Sequence, residues 1–205
     1  MSNVRYITLT EAEQLVRTSR DTTTQMQMLQ DLGAYAEFVE DGSSKIILYE
    51  GDTVLPYLAV KDDIVLVHGN LTVTGVLEDC LEVDLSLLHV LGNVTAQNLF
   101  TFSQICIGGD LTVENTIIAD SLRDCSLYVE GDVKAQLILE DGHWFHVKGK
   151  VTATDIYSSH SAIPRGVLQP NLTDEELVDD VKVKERLDLT KAMQHLMNNN
   201  FIFRK

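Results

Sequence analysis

The chain has 205 residues, with 31 acidic against 16 basic side chains and a formal charge of −15. That balance excludes binding along a nucleic-acid backbone, which needs clustered Lys and Arg, and argues equally against an anionic membrane surface. A hydrophobic fraction of 44% is ample for a core, and no apolar run reaches the ~18 residues of a transmembrane helix.

In chain order, Thr10-Glu-Ala-Glu13 reads as a capping box, with a short helix through Arg17 after it. Thr22 opens a second helix with Met26, Leu29 and Leu32 on one side. Residues 34–39 and 45–50 flank Asp41-Gly42 and read as a hairpin. Residues 1–45 are assigned to an N-terminal cap, because an uncovered β-helix end leaves an unpaired edge and an open core. Pro56 separates the cap from the first clear repeat.

From residue 64 one phrase recurs. It runs over residues 67–73, 90–96, 107–113, 129–135 and 147–153, with a weaker copy around Gly51. Its glycines stand at 51, 69, 92, 109, 131 and 149, so the steps are 18, 23, 17, 22 and 18 residues. A period of about 20 residues indicates a solenoid. Apolar residues alternate within each copy, as at Leu127, Val129, Val133, Ala135, Leu137 and Leu139. Period two means strands with one face inward, not helices.

The expected fold is therefore mainly β. It is a single-stranded parallel β-helix over residues 46–157, right-handed by the default for parallel crossovers, with an α/β N-terminal cap and a C-terminal helix. Three inward stacks follow from the alignment. One runs Val67, Val90, Ile107, Val129, Val147. The second runs Leu71, Val94, Leu111, Val133, Val151, and the third Val73, Ala96, Val113, Ala135, Ala153. Gly followed by Asn or Asp predicts a bend with positive φ.

Residues 158–205 lose the phrase. Pro164 and Pro170 bracket an extended connection, and Thr173 to Glu176 forms a second capping box with an acidic first helical turn. Leu189, Ala192, Met193 and Leu196 predict an amphipathic helix over 188–197 that Asn198 to Asn200 ends; Phe201 to Lys205 is an apolar tail. This module is expected to fold back along the solenoid, with a homodimer as the alternative.

Chemistry is sparse. His143 and His146 lie three apart on a strand and so face opposite ways; His68 and His146 share an outward face several coils apart; His89, His160 and His195 complete the set. Without HExxH, CxxC or His-x-His no metal ligands are assigned. Neither are catalytic or cofactor-binding residues, and the partner-binding face is unknown. Glu78, Asp79, Asp84, Asp120, Asp124, Glu140 and Asp141 fall between phrases, where a polysaccharide-cleaving groove would hold carboxylates. Trp144, Phe145, His146 and Tyr157 concentrate the aromatics. Alternation turns Phe145 inward and Trp144 outward, either as a binding hot spot or as cover for the last coil beneath the C-terminal module. Cys80, Cys106 and Cys125 lack metal spacing and suit buried thiols in a reducing cytoplasm. Met1 to Tyr6 lacks the apolar core of a signal peptide. The sequons at Asn70 and Asn93 are simply the repeat phrase; Asn171 carries a third.

The phrases resemble bacterial β-helix proteins described as polymer-forming or bactofilin-like, over roughly residues 50–157. The stretch 141–149 and Leu172 to Leu177 share the likeness. The resemblance implies the fold and, for function, a self-assembling scaffold; it carries no catalytic residues. Three expectations result. The first is a non-catalytic cytoplasmic protein-binding module, of immunity or antitoxin type, that masks a basic partner and needs no cofactor. The second is the scaffold. The third is a polysaccharide-active enzyme, which rests on fold analogy.

Overall fold

The structure, a computed structural model, describes residues 3–19, 22–79, 86–121, 125–159, 166–183 and 186–198. Cys80, Asp84, Asp124, His160, Pro164, Asn199, Asn200 and the tail Phe201 to Lys205 lie outside the described residues. A strand β1 (Asn3–Ile7) and helices α1 (Leu9–Thr18), α2 (Thr23–Ala34) and α3 (Ala36–Glu40) precede six parallel coils.

Each coil starts with a short strand: β2 (Ile46–Glu50), then β5 (Ile64–His68), β7 (Leu87–Val90), β9 (Gln104–Ile107), β12 (Ser126–Val129) and β14 (Trp144–Val147). After the Gly-Asx corner the chain runs along two further sides. In the first coil these are β3 (Thr53–Leu55) and β4 (Leu58–Val60), and in the fourth β10 (Leu111–Val113) and β11 (Thr116–Asp120). Elsewhere one bent strand serves both: β6 (Leu71–Asp79), β8 (Val94–Thr101), β13 (Val133–Asp141) and β15 (Val151–Ser158). The solenoid is thus three-sided, and its strands pair in parallel from coil to coil.

The register places like residues over like. Val67, Val90, Ile107, Val129 and Val147 align, as do Leu71, Val94, Leu111, Val133 and Val151. These stacks join Leu77, Leu99, Ile117, Ile138 and Ile156 in one interior cluster. No coil could bury this face alone, so each coil's stability comes from its neighbours.

The corner glycines are required for a reason other than the one expected. Positive φ occurs at Gly51 (+78°), but not at Gly69, Gly92, Gly109, Gly131 or Gly149. A Cβ at these five would instead strike the coil below: 2.5 Å from the Gly51 carbonyl carbon at Gly69, and 2.6 Å from the Gly69 oxygen at Gly92. The Asx residue that follows explains the closeness. The amide of Asn70 donates to Asp52 Oδ1, Asn93 to Asn70 Oδ1, Asp110 to Asn93 Oδ1 and Asp132 to Asp110 Oδ1, each at 2.8 Å. The Lys150 amide ends the ladder on Asp132 Oδ1 at 2.9 Å. The sixth copy carries Lys where the others carry Asn or Asp, since no seventh amide in the repeat needs an acceptor.

The N-terminal segment departs from expectation in three places. Thr8, not Thr10, caps α1, accepting the Glu11 amide at 3.2 Å; β1 ends at Ile7, so the helix begins sooner. Residues 36–40 are helical, and β2 pairs antiparallel with β1, not with residues 34–39. Asp41-Gly42 is still a turn, with Gly42 at φ +81°. In α2 the inward residues are Met28 and Leu32, whereas Met26 is 59% exposed. Together with Ala12 and Val16 they pack on Ile46, Leu48, Ile64, Leu66 and Leu87, the outer face of the first side. The helices therefore cover a flank, while β1 covers the β2 edge at the solenoid's N-terminal end.

The other end is plugged. Gly166 (φ +64°) lies on the Phe145 carbonyl, and Leu168 is buried in the interior cluster. The Asn171 and Leu172 amides donate to the Ile156 oxygen at 2.9 and 3.1 Å. The Thr173–Glu176 capping box forms, but opens only a 3-10 turn, Asp174–Glu176. A two-stranded hairpin, β16 (Lys182–Val183) and β17 (Arg186–Leu187), leads to α4 (Leu189–Met197). Leu177, Val181, Ala192 and Met193 pack on Phe100, Ile118, Leu139 and Tyr157, so the module folds back on the third side.

Candidate functional site

Among the described residues two flanks are thus covered by the chain's own segments, and the second side is not. Its outward column is Val54, Thr72, Thr95, Thr112, Lys134 and Thr152, in register from coil to coil. Two residues further along lie Thr74, Gln97, Glu114, Gln136 and Thr154, all exposed. Among these eleven residues the only charges are Lys134 and Glu114, which cancel. The face is neutral and flat, in a protein of charge −15. Asp52, Asp110 and Asp132, with Lys150 at the last position, border one edge, and Asp155 stands at the other.

A polar cluster lies buried under α2. His89 and Cys106 are register partners on β7 and β9, facing outward beneath the helix. Asp31 of α2 reaches down between them. Asp31 Oδ2 is 3.3 Å from His89 Nε2, 3.4 Å from Cys106 Sγ and 3.4 Å from Gln104 Nε2. Gln27 Nε2 donates to Asp31 Oδ1 at 2.7 Å. His89 and Cys106 are fully buried and Asp31 is 8% exposed. Burial, then the adjacent Asp31, pushes the Cys106 thiol well above its ordinary pKa. Spacing alone does not reveal this group, because Asp31 is 58 and 75 residues from its partners. The repeat alignment holds a partial signal: Leu66, His89, Cys106, Tyr128 and His146 occupy one outward column.

Among the described residues the carboxylates between phrases divide between the interior and the surface. Asp79 and Glu140 are buried with the core residues, on the inward column that continues from Leu77 and Ile138. Asp79 accepts Thr101 Oγ1 at 2.7 Å and the Phe102 and Ser103 amides at 2.5 and 3.2 Å. Glu140 accepts from the Ser158 hydroxyl. Glu78 points out and accepts from the Tyr57 hydroxyl. Asp120 and Asp141 are register partners; burial, and then Asp141, raises Asp120 to about 6.

Burial pushes Asp79 up to about 7, against the pull of its three donors. Its unfolded value is about 3.9, so folding favours the protonated form. That contribution is complete below about pH 4 and is lost as pH rises through about 7. Melting temperature should therefore fall between about pH 4 and pH 7. Asp79→Asn should flatten that slope, as thermal unfolding by circular dichroism would read.

The aromatic concentration divides. Phe145 is interior, while Tyr128 and His146 stack outward on the first side with ring centroids 4.5 Å apart. Trp144 extends the stack, 6.3 Å from His146. Tyr157 belongs to the third side. The helical part of the C-terminal module packs there, because the apolar outward residues Phe100, Ile118 and Leu139 are on that side. His143 is buried and His146 exposed, on opposite faces as alternation requires. His68 is also exposed.

Among the described residues, no helix is long and apolar enough to cross a membrane. The architecture defines a three-sided β-solenoid with a bare flank and a buried Asp-His-Cys cluster. Comparison with protein-family models, with curated proteins and with solved structures returned no match.

Proposed function

We propose that the chain is a non-catalytic protein-binding module that receives a basic partner across the second side, in the manner of an immunity protein masking its target. The observation that carries this is the pairing of a neutral, flat floor with an acidic border. Interface centres are depleted in charge and rims are polar, and a predominantly acidic border, with Lys150 at its last position, steers an oppositely charged partner. The chain's own segments occupy the other two flanks.

The test is capture of basic proteins at low and high salt, by the wild-type chain and by Thr95→Arg and Thr112→Arg. Both substitutions place bulk and positive charge on the floor while pointing away from the core. Capture should weaken steeply with salt and fall at least ~10-fold in either variant, with melting temperature unchanged. Equal capture by wild type and variants would remove the proposal.

The scaffold reading draws on the N-terminal end. There β3 and β4 pair only with β6 among the described residues, and Val4 and Tyr6 are 50% and 67% exposed. Leu168 blocks the opposite end, which favours pairs of copies over continuous filaments. A mass that grows with concentration in light scattering would support this second reading.

A further inference from the structure

We propose that Asp31, His89 and Cys106 form a zinc-type metal site that clamps α2 onto the solenoid. The three ligand atoms lie within 4.8 Å of one another. Around a tetrahedral zinc, with bonds of about 2.0–2.3 Å, neighbouring ligand atoms sit about 3.3–3.8 Å apart. The two distances from Asp31 Oδ2, 3.3 and 3.4 Å, fall in that range.

The metal-free geometry is poor as hydrogen bonding. Three donors, from His89, Gln104 and Cys106, converge on the single oxygen Asp31 Oδ2. A carboxylate oxygen has about two lone-pair sites. The two nitrogen donors lie at 3.3 and 3.4 Å, longer than the roughly 2.9–3.0 Å usual for N–H···O bonds. One oxygen therefore faces more donors than its lone pairs serve, in a place where buried polar atoms are normally satisfied.

The donor set selects the ion. Thiolate and imidazole favour zinc and similar borderline metals over magnesium or calcium. On loading, the Cys106 thiol releases its proton to solvent and the neutral His89 ring carries its proton on Nδ1 instead of Nε2, so that the Cys106 sulfur, Asp31 Oδ2 and His89 Nε2 bind the cation. One carboxylate and one thiolate then balance a divalent ion, with no net charge left in the buried site. The ligands come from α2, β7 and β9, so the ion ties a segment outside the repeat to two successive coils.

The full chain would be titrated with Co²⁺ both when folded and during refolding, since α2 covers the site. One equivalent should produce a thiolate-to-cobalt band in the near ultraviolet and visible bands of tetrahedral intensity, bleached by Zn²⁺. Cys106→Ala should lose the near-ultraviolet band, and His89→Gln should weaken binding at least ~10-fold. Zn²⁺ should raise the melting temperature of the wild type and leave Cys106→Ala unchanged. Circular dichroism establishes that the variants fold. Should Cys106→Ala not fold, wild-type loading and His89→Gln decide between the outcomes. Absence of the bands under both loading conditions, or a near-ultraviolet band retained in folded Cys106→Ala, would overturn the proposal. So would undiminished binding by folded His89→Gln.

Discussion

Gly69→Ala is expected to destabilise the protein by about 3 kcal/mol, at the upper end of overpacking costs. The new Cβ would sit 2.5 Å from the Gly51 carbonyl carbon, 2.7 Å from its oxygen and 2.8 Å from the Asp52 nitrogen. All three are backbone atoms, so no side chain can swing away. Moving the lower coil would stretch the Gly51 amide bond to the His68 oxygen at 3.0 Å. It would also pull Asp52 from the Asn70 amide. Chemical denaturation should show a lower midpoint. Gly33→Ala is the control, because a Cβ there meets nothing within 4 Å; it removes a helical glycine and should be neutral or stabilising by up to about 1 kcal/mol.

Phe145→Ala should cost about 3–5 kcal/mol, the usual range for truncating a buried aromatic side chain. Phe145 is fully buried in the last coil and belongs to the same interior cluster as Leu127 and Leu168. Leu127 is its register partner on the coil below. Leu168 comes from the segment that closes the end, and Gly166 lies directly on the Phe145 carbonyl. That backbone contact holds the plug close, so collapse into the void is restricted and a cavity remains. Urea unfolding should show a lower midpoint. A concurrent change in slope would mean that the end plug had detached, since slope follows the surface exposed on unfolding.

The two variants probe different layers of what the sequence encodes. Phe145 was legible in advance: alternation with Val147 turns it inward. Gly69 was legible as a corner but not in its cause. A local reading of Gly-Asn suggests positive φ. The actual constraint is the neighbouring coil, whose carbonyl occupies the space a side chain would need. Thr8 against Thr10 shows the same limitation on a smaller scale, since both head a Thr-x-x-Glu box and β1 decides which one caps α1.

The candidate sites were less legible than the fold. The bare second side cannot be recognised from its own residues, because its Thr and Gln columns mean little until the other two flanks are seen to be covered. Asp79 and Glu140 read as loop carboxylates, yet the bend in each coil turns them inward with the core residues. His89 and Cys106 share a column that the repeat alignment contains, but Asp31 comes from a segment with no repeat at all.

The amino-acid pattern by itself determined the coil, its interior stacks and the position of its corners. Those features repeat, and each copy meets another copy of itself, so periodicity reports them. Tertiary structure alone decided which flanks the terminal segments cover, which edge β1 closes and where Asp31 meets its partners. Such contacts join unlike segments once each. Their outcome depends on which outward residues are apolar on each side of the finished solenoid, and no spacing along the chain records that match.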